Sequence, residues 1–342
     1  MIGPTIKDVA REAGVCPSTV SRALSGSDVI SEETKGRVAA AAQKLGYTPN
    51  TAARSLRSDS SGMIGIVVPD ISGEFYAACA SGVYHTALEH GYSVLIADTE
   101  KRDGSGADCV KALLERRADG IIFIGGGSDE MVADTAARGI PVVTGDSSME
   151  GVPSVTFNNR ETVSRLVKAL YDDGCRSFTY IGEPTETHRN LRERLDGYRD
   201  GLRACAEAEG REMIDERLDR DKLKAGFEIY CESFANIERP EAVITSNDLI
   251  AQGIISAANK AGRAIPDEIA VAGFDDARAS AYWTPPLTTI RQEAGVLAEE
   301  CFKKLYAMIK KQEVKNTVLR QKVIVRGSMR ISEESFKRHL AH

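Results

Sequence analysis

The sequence predicts an α/β protein in which a small helical head, residues 1–58, precedes a core of doubly wound parallel sheets, residues 62–342. Two observations lead to this prediction. The first 46 residues show helix patterns and no convincing strand, whereas short Val and Ile runs alternate with stretches of helical length from Met63 onward, as in βαβ units. The core is longer than one such sheet requires, so we expect two lobes.

Charge is unevenly distributed along the chain. The formal net charge is −6, yet residues 1–58 hold eight Lys and Arg against five Asp and Glu, which suits a head that alone approaches phosphates. The seven cysteines are scattered without a C-x-x-C pair, as expected for free thiols in a reducing compartment. We find neither a signal peptide nor an apolar run of the roughly 18 residues that span a bilayer. We therefore expect a cytoplasmic protein with no membrane partner.

The first two predicted helices are joined by a tight turn. Apolar residues in Thr5–Ala13 recur at helical spacing, and Gly14 can adopt the left-handed conformation that ends the first helix. Pro17 suits the first position of the second helix. The outer face of that helix is small, polar and cationic, with Pro17, Ser18, Ser21 and Arg22. Such a helix-turn-helix fits a major groove, where Arg22 can donate to guanine.

A third helix and a short fourth one complete the predicted head. Ser31 is a good N-cap for the third. Asn50 can cap a hinge helix over about residues 50–58, which is too short to be stable alone and would fold only against a partner. Arg54 suits phosphates or a minor groove, and Leu56 suits a minor-groove wedge. A three-helix protein-interaction module is the alternative interpretation of the head.

The predicted strands of the core place polar and aromatic residues at one sheet edge. The strands are Met63–Val68, Tyr92–Ala97, Gly120–Ile124, Pro141–Thr144, Ser177–Ile181, Ala242–Thr245 and Ile269–Gly273. Ligands bind beyond the carboxyl ends of such strands. The residues that follow include Asp70, Phe75, Tyr76, Asp98, Asp146, Glu183, Asn247, Asp248, Asp275 and Asp276. Carboxylates and amides pair with hydroxyls while an aromatic ring covers a C–H face, so a sugar-like ligand is favoured, although each residue could instead cap a helix or fill the core.

An enzyme is the less favoured interpretation of the core. The sequence contains neither the dinucleotide motif G-x-G-x-x-G after a strand nor the phosphate-loop motif G-x-x-x-x-G-K-[ST]. His85 and His90 are five residues apart, which does not place them on one helical face for zinc, and no G-x-S-x-G marks a nucleophile. We expect no cofactor, no metal and no catalysis. A nucleotide-using enzyme and a cytoplasmic small-molecule-binding protein stay open as alternatives.

Several motifs spread over nearly the whole chain carry a family resemblance. They are Thr5-Ile6-Lys7-Asp8-Val9-Ala10, Thr19-Val20-Ser21-Arg22, Leu45-Gly46-Tyr47, Val68-Pro69-Asp70, Ser246-Asn247-Asp248, Gly273-Phe274-Asp275-Asp276 and Pro285-Pro286-Leu287-Thr288-Thr289-Ile290. The chain resembles the lactose-repressor family of bacterial transcription regulators. That resemblance implies a DNA-binding head and a two-lobed core like that of periplasmic binding proteins. The expected lobes are about 62–158 with 290–318 and about 159–289 with 319–342.

The resemblance also implies roles for individual residues. DNA contacts fall on Thr5, Cys16, Pro17, Ser18, Ser21, Arg22, Asn50, Arg54 and Leu56. Effector contacts fall on Arg194, Asn247 and Asp275, to which the strand ends add Asp70, Phe75, Tyr76 and Asp146. Two positions depart from the family, because Cys16 replaces a serine N-cap and Asp221 stands where some relatives place an aromatic ring.

Together these features predict a homodimeric repressor of a palindromic operator. A sugar or sugar derivative, or else a purine-like metabolite, would bind between the lobes. Its binding would change the distance between the two linkers and so form or melt the paired hinge helices.

Overall fold

The computed structural model describes residues 4–24, 27–47, 60–99, 105–186, 188–234 and 241–341. Contacts within the chain divide it into two units, Met1–Gly62 and Met63–His342. The first unit is the head. Its helices are α1 (Ile6–Ala13), α2 (Pro17–Leu24) and α3 (Glu32–Leu45).

Short-range signals set the ends of the head helices. Asp8 accepts hydrogen bonds from the Thr5 N–H, at 3.0 Å, and from the Thr5 hydroxyl, at 2.7 Å. Gly14 ends α1 with φ +68°, a conformation that costs glycine little. Val9, Val20 and Val38, one from each helix, are fully buried in the core of the head. The predicted helix-turn-helix is confirmed.

The second unit contains two six-stranded sheets. The first has the strand order β11-β5-β4-β3-β1-β2, and the second has β12-β10-β9-β8-β6-β7. The first-sheet strands are β1 (Met63–Val68), β2 (Ser93–Asp98), β3 (Ile121–Ile124), β4 (Val142–Gly145), β5 (Ser154–Phe157) and β11 (Thr317–Leu319). Those of the second are β6 (Ser177–Gly182), β7 (Glu209–Ile214), β8 (Glu241–Thr245), β9 (Ile269–Asp275), β10 (Thr288–Arg291) and β12 (Lys322–Ile324). All recorded pairings are parallel except that of β10 with β12.

Helices cover both faces of each sheet. The first lobe uses α4 (Glu74–Glu89), α5 (Ser105–Glu115), α6 (Asp129–Ala137) and α11 (Ala294–Ile309). The second lobe uses α7 (Asn159–Asp172), α8 (Arg189–Arg203), α9 (Lys222–Ser233), α10 (Asp248–Lys260) and α12 (Glu333–His339). Successive residues of β1 point to opposite faces, so Ile66 packs in one apolar cluster and Val67 in another. The predicted fold class, two doubly wound lobes behind a helical head, is confirmed.

The sequence patterns missed five strands. These are β5, β7, β10, β11 and β12. β11 and β12 have three residues each, β5 and β10 have four, and β7 is an edge strand whose residues are nearly all exposed, so none shows a clear apolar run. The chain passes between the lobes after β5, after β10 and after β11. Three segments therefore connect the lobes.

Two further findings concern the described part of the chain. None of its helices is long and apolar enough to cross a membrane. The seven cysteines all lie within it and all carry free thiols.

Candidate functional site

The outer face of α2 is exposed as the sequence predicts. Val20 and Ala23 are buried in the head. Exposed to solvent are Pro17, Ser18, Ser21 and Arg22. The helix therefore presents a short polar surface with one guanidinium group, which has the size and chemistry that a major groove accepts.

Cys16 caps the N-terminus of α2. Its carbonyl accepts from the Thr19 and Val20 N–H groups at 3.0 and 3.1 Å. The exposed Sγ lies 3.0 Å from the Ser18 hydroxyl oxygen and 3.1 Å from that of Thr19. Hydrogen bonds from Ser18 and Thr19 lower the pKa of the thiol to about 7. The sulfur thus occupies the capping position and engages the hydroxyls of two neighbouring residues.

The other predicted DNA contacts differ in their placement. Thr5 is exposed at the N-terminus of α1, where it caps the helix. Asn50, Arg54 and Leu56, together with the predicted hinge helix, lie outside the described residues.

In the second unit, the carboxyl ends of strands from both lobes meet at a cleft around Arg194. This residue lies on α8 and is 4% exposed. One terminal nitrogen donates to the Ser246 carbonyl at 2.5 Å, and the guanidinium carbon lies 3.7 Å from the centre of the Phe274 ring. The other terminal nitrogen is 4.0 Å from Asp146 Oδ2, which belongs to the opposite lobe. Arg194 therefore links the two lobes across the cleft.

Asp146, at the end of β4, is the main carboxylate of the first lobe in this cleft. It is 2% exposed, and its Oδ2 accepts from Asn190 Nδ2 at 2.7 Å. Burial raises the pKa of Asp146 to about 7 despite the opposing effect of Arg194. The backbone has φ +54°, which is strained for a residue with a side chain.

Asp275, at the end of β9, is the corresponding carboxylate of the second lobe. It accepts from Asn247 Nδ2 at 2.5 Å and from Gln292 Nε2 at 2.8 Å. Asn247 also caps α10, because its Oδ1 accepts from the Leu249 N–H at 2.8 Å. Burial raises the pKa of Asp275 to about 6, and its φ is +114°. The four residues therefore belong to one polar cluster, in which Asp146 and Arg194 are buried and Asn247 and Asp275 are half-buried.

Tyr76 lies close to this cluster. Burial and the charges of Asp146 and Asp275 all raise its pKa. Its ring stands edge-on to Phe75, with 5.3 Å between the ring centres, and a Cβ on Gly125 would lie 2.9 Å from Tyr76 ring and hydroxyl atoms. The bare backbone of Gly125 thus makes room for the tyrosine.

Asp70 and Asp221 have local roles in the structure. Asp70 Oδ1 accepts from the Ser72 N–H at 2.7 Å, which stabilises a turn. Asp221 is exposed and caps α9, where its Oδ1 accepts from the Lys224 N–H at 3.0 Å.

An ion pair that the sequence reasoning missed lies beside the cluster. Lys222 Nζ is 2.9 Å from Glu183 Oε1, and the Ser246 hydroxyl donates to the same carboxylate. Burial opposes ionisation of Glu183, but Lys222 and these hydrogen bonds hold its pKa below the ordinary value. The position of Glu183 after a strand predicts its place at the cleft. Lys222 stands on a separate helix, and no sequence pattern connected the two residues.

Some buried polar atoms of the cleft have no hydrogen-bond partner in the described part of the chain. They are Thr144 Oγ1, Asp146 Oδ1, Arg194 Nε and Gln292 Oε1. Leaving such atoms unpaired costs about 1–3 kcal/mol each. A cavity of about 30 Å³ lies beside one of these residues, Thr144, and is also lined by Asn190 and the Gly125–Gly127 turn. This volume is that of about one water molecule, so a larger ligand fits in this cavity only if its lining residues move.

Comparisons with known proteins match both units. A model of the lacI family of bacterial regulatory proteins matches residues 5–50, and a model of a periplasmic binding protein-like domain matches residues 167–329. The ribose operon repressor of Bacillus subtilis is 31% identical over 323 residues, covering 94% of this chain and 97% of the repressor.

Two solved structures resemble the whole chain. The lac repressor dimer bound to operator and the anti-inducer ONPF is 26% identical, with a TM-score of 0.82, covering 96% of this chain and 99% of that one. The complex of the transcriptional regulator CelR with cellobiose is 26% identical, with a TM-score of 0.68, covering 95% of this chain and 100% of that one.

Proposed function

The chain belongs to the lacI family of bacterial regulatory proteins, and from this premise we propose that it is a homodimeric repressor controlled by a small-molecule effector. The head binds a palindromic operator, and a sugar or sugar derivative binds between the core lobes. The observation that carries the proposal is the polar cluster around Arg194, because it joins both lobes and leaves polar atoms unpaired for a ligand.

On the DNA side, the exposed face of α2 supports base reading. Arg22 forks onto a guanine, and Ser18 reaches base edges or phosphates. Pro17 has no donor and offers an apolar contact, for example to a thymine methyl. Further residues contact the DNA phosphate backbone and the minor groove. They are Thr5, Cys16, Ser21, Asn50, Arg54 and Leu56.

On the effector side, the cluster geometry supports direct contacts by Asp146, Arg194, Asn247 and Asp275. Tyr76 and Phe75 supply the aromatic wall. Asp70 and Asp221 contribute from the rim of the cleft. The cellobiose bound by CelR supports a sugar, and carboxylate, amide and guanidinium groups are the partners that sugar hydroxyls need.

Exposed apolar side chains support a dimer. Tyr84 and Leu88 on α4 are 47% and 57% exposed, and Ile96 on the edge strand β2 is 51% exposed. Tyr282 in the second lobe is 86% exposed. Covering such residues with a second copy removes apolar surface from water, and the lac repressor in the related structure is a dimer.

Coupling between the two sites follows from the interlobe contacts. A ligand that engages Asp146 in one lobe and Asp275 in the other changes the angle between the lobes. In a dimer this changes the distance between the two linkers, so the hinge helices near Leu56 form or melt. Effector and operator are thereby linked thermodynamically.

A gel shift with the DNA upstream of the gene that encodes this chain tests the proposal. We expect a discrete complex that forms with wild-type protein and is weakened in Arg22→Gln. The matched control is Arg203→Gln, which removes an exposed arginine of the second unit that pairs with Asp200. Absence of any complex with folded dimer at low salt contradicts the proposal, as does equal binding of an unrelated DNA.

A further inference from the structure

The unpaired atoms of the cleft specify which hydrogen-bonding groups a ligand must bring. Thr144, Asp146, Arg194 and Gln292 are each no more than 5% exposed. Gln292 donates through Nε2 to Asp275, which fixes its Oε1 as an acceptor. Asp146 Oδ1 also accepts when ionised, Arg194 Nε donates, and the Thr144 hydroxyl does either. The ligand must therefore donate at two positions and accept at one or more.

The cations of the cleft are already engaged within the protein. Arg194 donates to Ser246, lies over Phe274 and approaches Asp146. Lys222 pairs with Glu183, which is 4% exposed. Drawing Lys222 toward a ligand would leave that carboxylate buried without its partner, which is strongly unfavourable.

Among the described residues whose charges act on Tyr76 and Asp275, three are carboxylates and two are cations. Asp146, Asp275 and Glu183 face Arg194 and Lys222. An anionic ligand entering this space meets carboxylates from both lobes. Among the unpaired cleft atoms of the described residues, only Arg194 Nε and the Thr144 hydroxyl can donate to it, and Arg194 alone carries a positive charge. Like charges in a desolvated site repel strongly.

We infer that the cleft takes an electroneutral polyhydroxylated ligand and discriminates against its phosphorylated or carboxylated counterparts. This inference rests on the proposed function and names the chemical class of the effector. Each hydroxyl donates and accepts, so neighbouring hydroxyls satisfy all four unpaired atoms. A phosphate dianion only accepts, so it leaves Gln292 Oε1 unsatisfied, and it also leaves Asp146 Oδ1 unsatisfied when that carboxyl is ionised.

Thermal-shift titrations of the full-length protein test the inference with paired probes. The neutral probes are glucose, galactose, ribose, fructose, cellobiose, adenosine and cytidine, and each is compared with its phosphate ester. We expect at least one neutral probe to raise the Tm of the protein. Its phosphate ester should give the same rise only at a concentration at least about 100-fold higher. A phosphate ester that stabilises as well as its neutral parent overturns the inference, and so does a panel in which no neutral probe stabilises the protein.

A charge-removing variant tests the physical cause. Asp146→Asn keeps the shape of the side chain and removes one carboxylate. We expect this variant to bind the neutral ligand about tenfold more weakly. We also expect the ratio of its affinity for the neutral ligand to its affinity for the phosphate ester to fall by at least about tenfold. The matched control is Asp134→Asn, an exposed position on α6 in the same lobe, which leaves both affinities unchanged. An unchanged ratio in Asp146→Asn contradicts the explanation by charge.

The gel shift run on the same preparations separates two kinds of failure. If the wild-type protein binds its upstream DNA but is stabilised most by a phosphate ester, the inferred effector class is wrong and the proposed regulatory function is still supported. If it binds no DNA specifically, the proposed function itself is wrong.

Discussion

Replacing Asp146 by asparagine should stabilise the ligand-free core at neutral and alkaline pH. The carboxyl is 2% exposed, and burial raises its pKa from 3.8 to about 7. In the unfolded chain it ionises near pH 4. Between these pH values the folded state holds more protons than the unfolded state, so the free energy of unfolding falls as pH rises. Above about pH 7 the folded protein carries the full cost of a buried charge.

The size of the effect follows from that pKa change. A shift of about three units corresponds to at most about 4 kcal/mol, at about 1.4 kcal/mol per unit. The variant loses the weak attraction between Asp146 and Arg194, which are 4.0 Å apart, but an amide oxygen can still accept from Asn190. We therefore expect a net gain of about 1–4 kcal/mol above pH 7, shrinking toward zero near pH 4.

Urea denaturation of wild type and Asp146→Asn measures this gain from about pH 5 to about pH 8. The single tryptophan, Trp283, packs against a core cluster of the second lobe and provides the fluorescence signal. Using the difference between the two proteins cancels the slopes of acids that do not interact with Asp146. The control Asp134→Asn should show no such difference. A difference in the free energy of unfolding that does not change with pH would refute the reasoning. So would a variant that is less stable than wild type at pH 8.

Three further predictions concern the head. Gly36→Ala should raise the stability of the head by about 1 kcal/mol, because the new methyl group meets no atom within 4 Å in the interior of α3; thermal melting followed by circular dichroism checks this, and a lower melting temperature contradicts it. Arg22→Gln should weaken operator binding by about 1–3 kcal/mol and relax the preference at one base pair; fluorescence anisotropy on operator variants measures both, and unchanged affinity argues against base reading by Arg22. Leu56→Gly should weaken specific DNA binding and leave ligand affinity intact, since its proposed role is the minor-groove wedge; an operator affinity equal to wild type counts against the hinge mechanism.

The fold was predictable where local signals agreed with tertiary packing. Gly14 and Pro17 marked the ends of the first two helices, and Val and Ile runs marked strands that are buried on both faces. β7 was missed because it is an edge strand with an exposed, charged sequence. β11 and β12 were missed because three residues do not establish a period.

The cleft was predictable only in outline. The rule that ligands bind beyond strand ends placed Asp146, Asn247 and Asp275 in one region. Arg194, by contrast, came from family resemblance, since a charged residue in a helix is ordinarily expected at the surface. The pairing of Glu183 with Lys222 depends on packing between separate elements. The unpaired atoms appear only once all their neighbours are positioned.

Operator affinity measured with and without a cleft ligand tests the central claim most directly. The ligand is the neutral probe that gives the largest thermal shift, and the proteins are wild type and Arg194→Gln. We predict that the ligand changes the wild-type operator Kd by about 5–150-fold. In the variant the ligand should leave the operator Kd unchanged, because Arg194 contacts both lobes at the proposed effector site. An equal response in the variant, or no response in wild type, would contradict the claim that a ligand bound between the lobes controls DNA binding by the head.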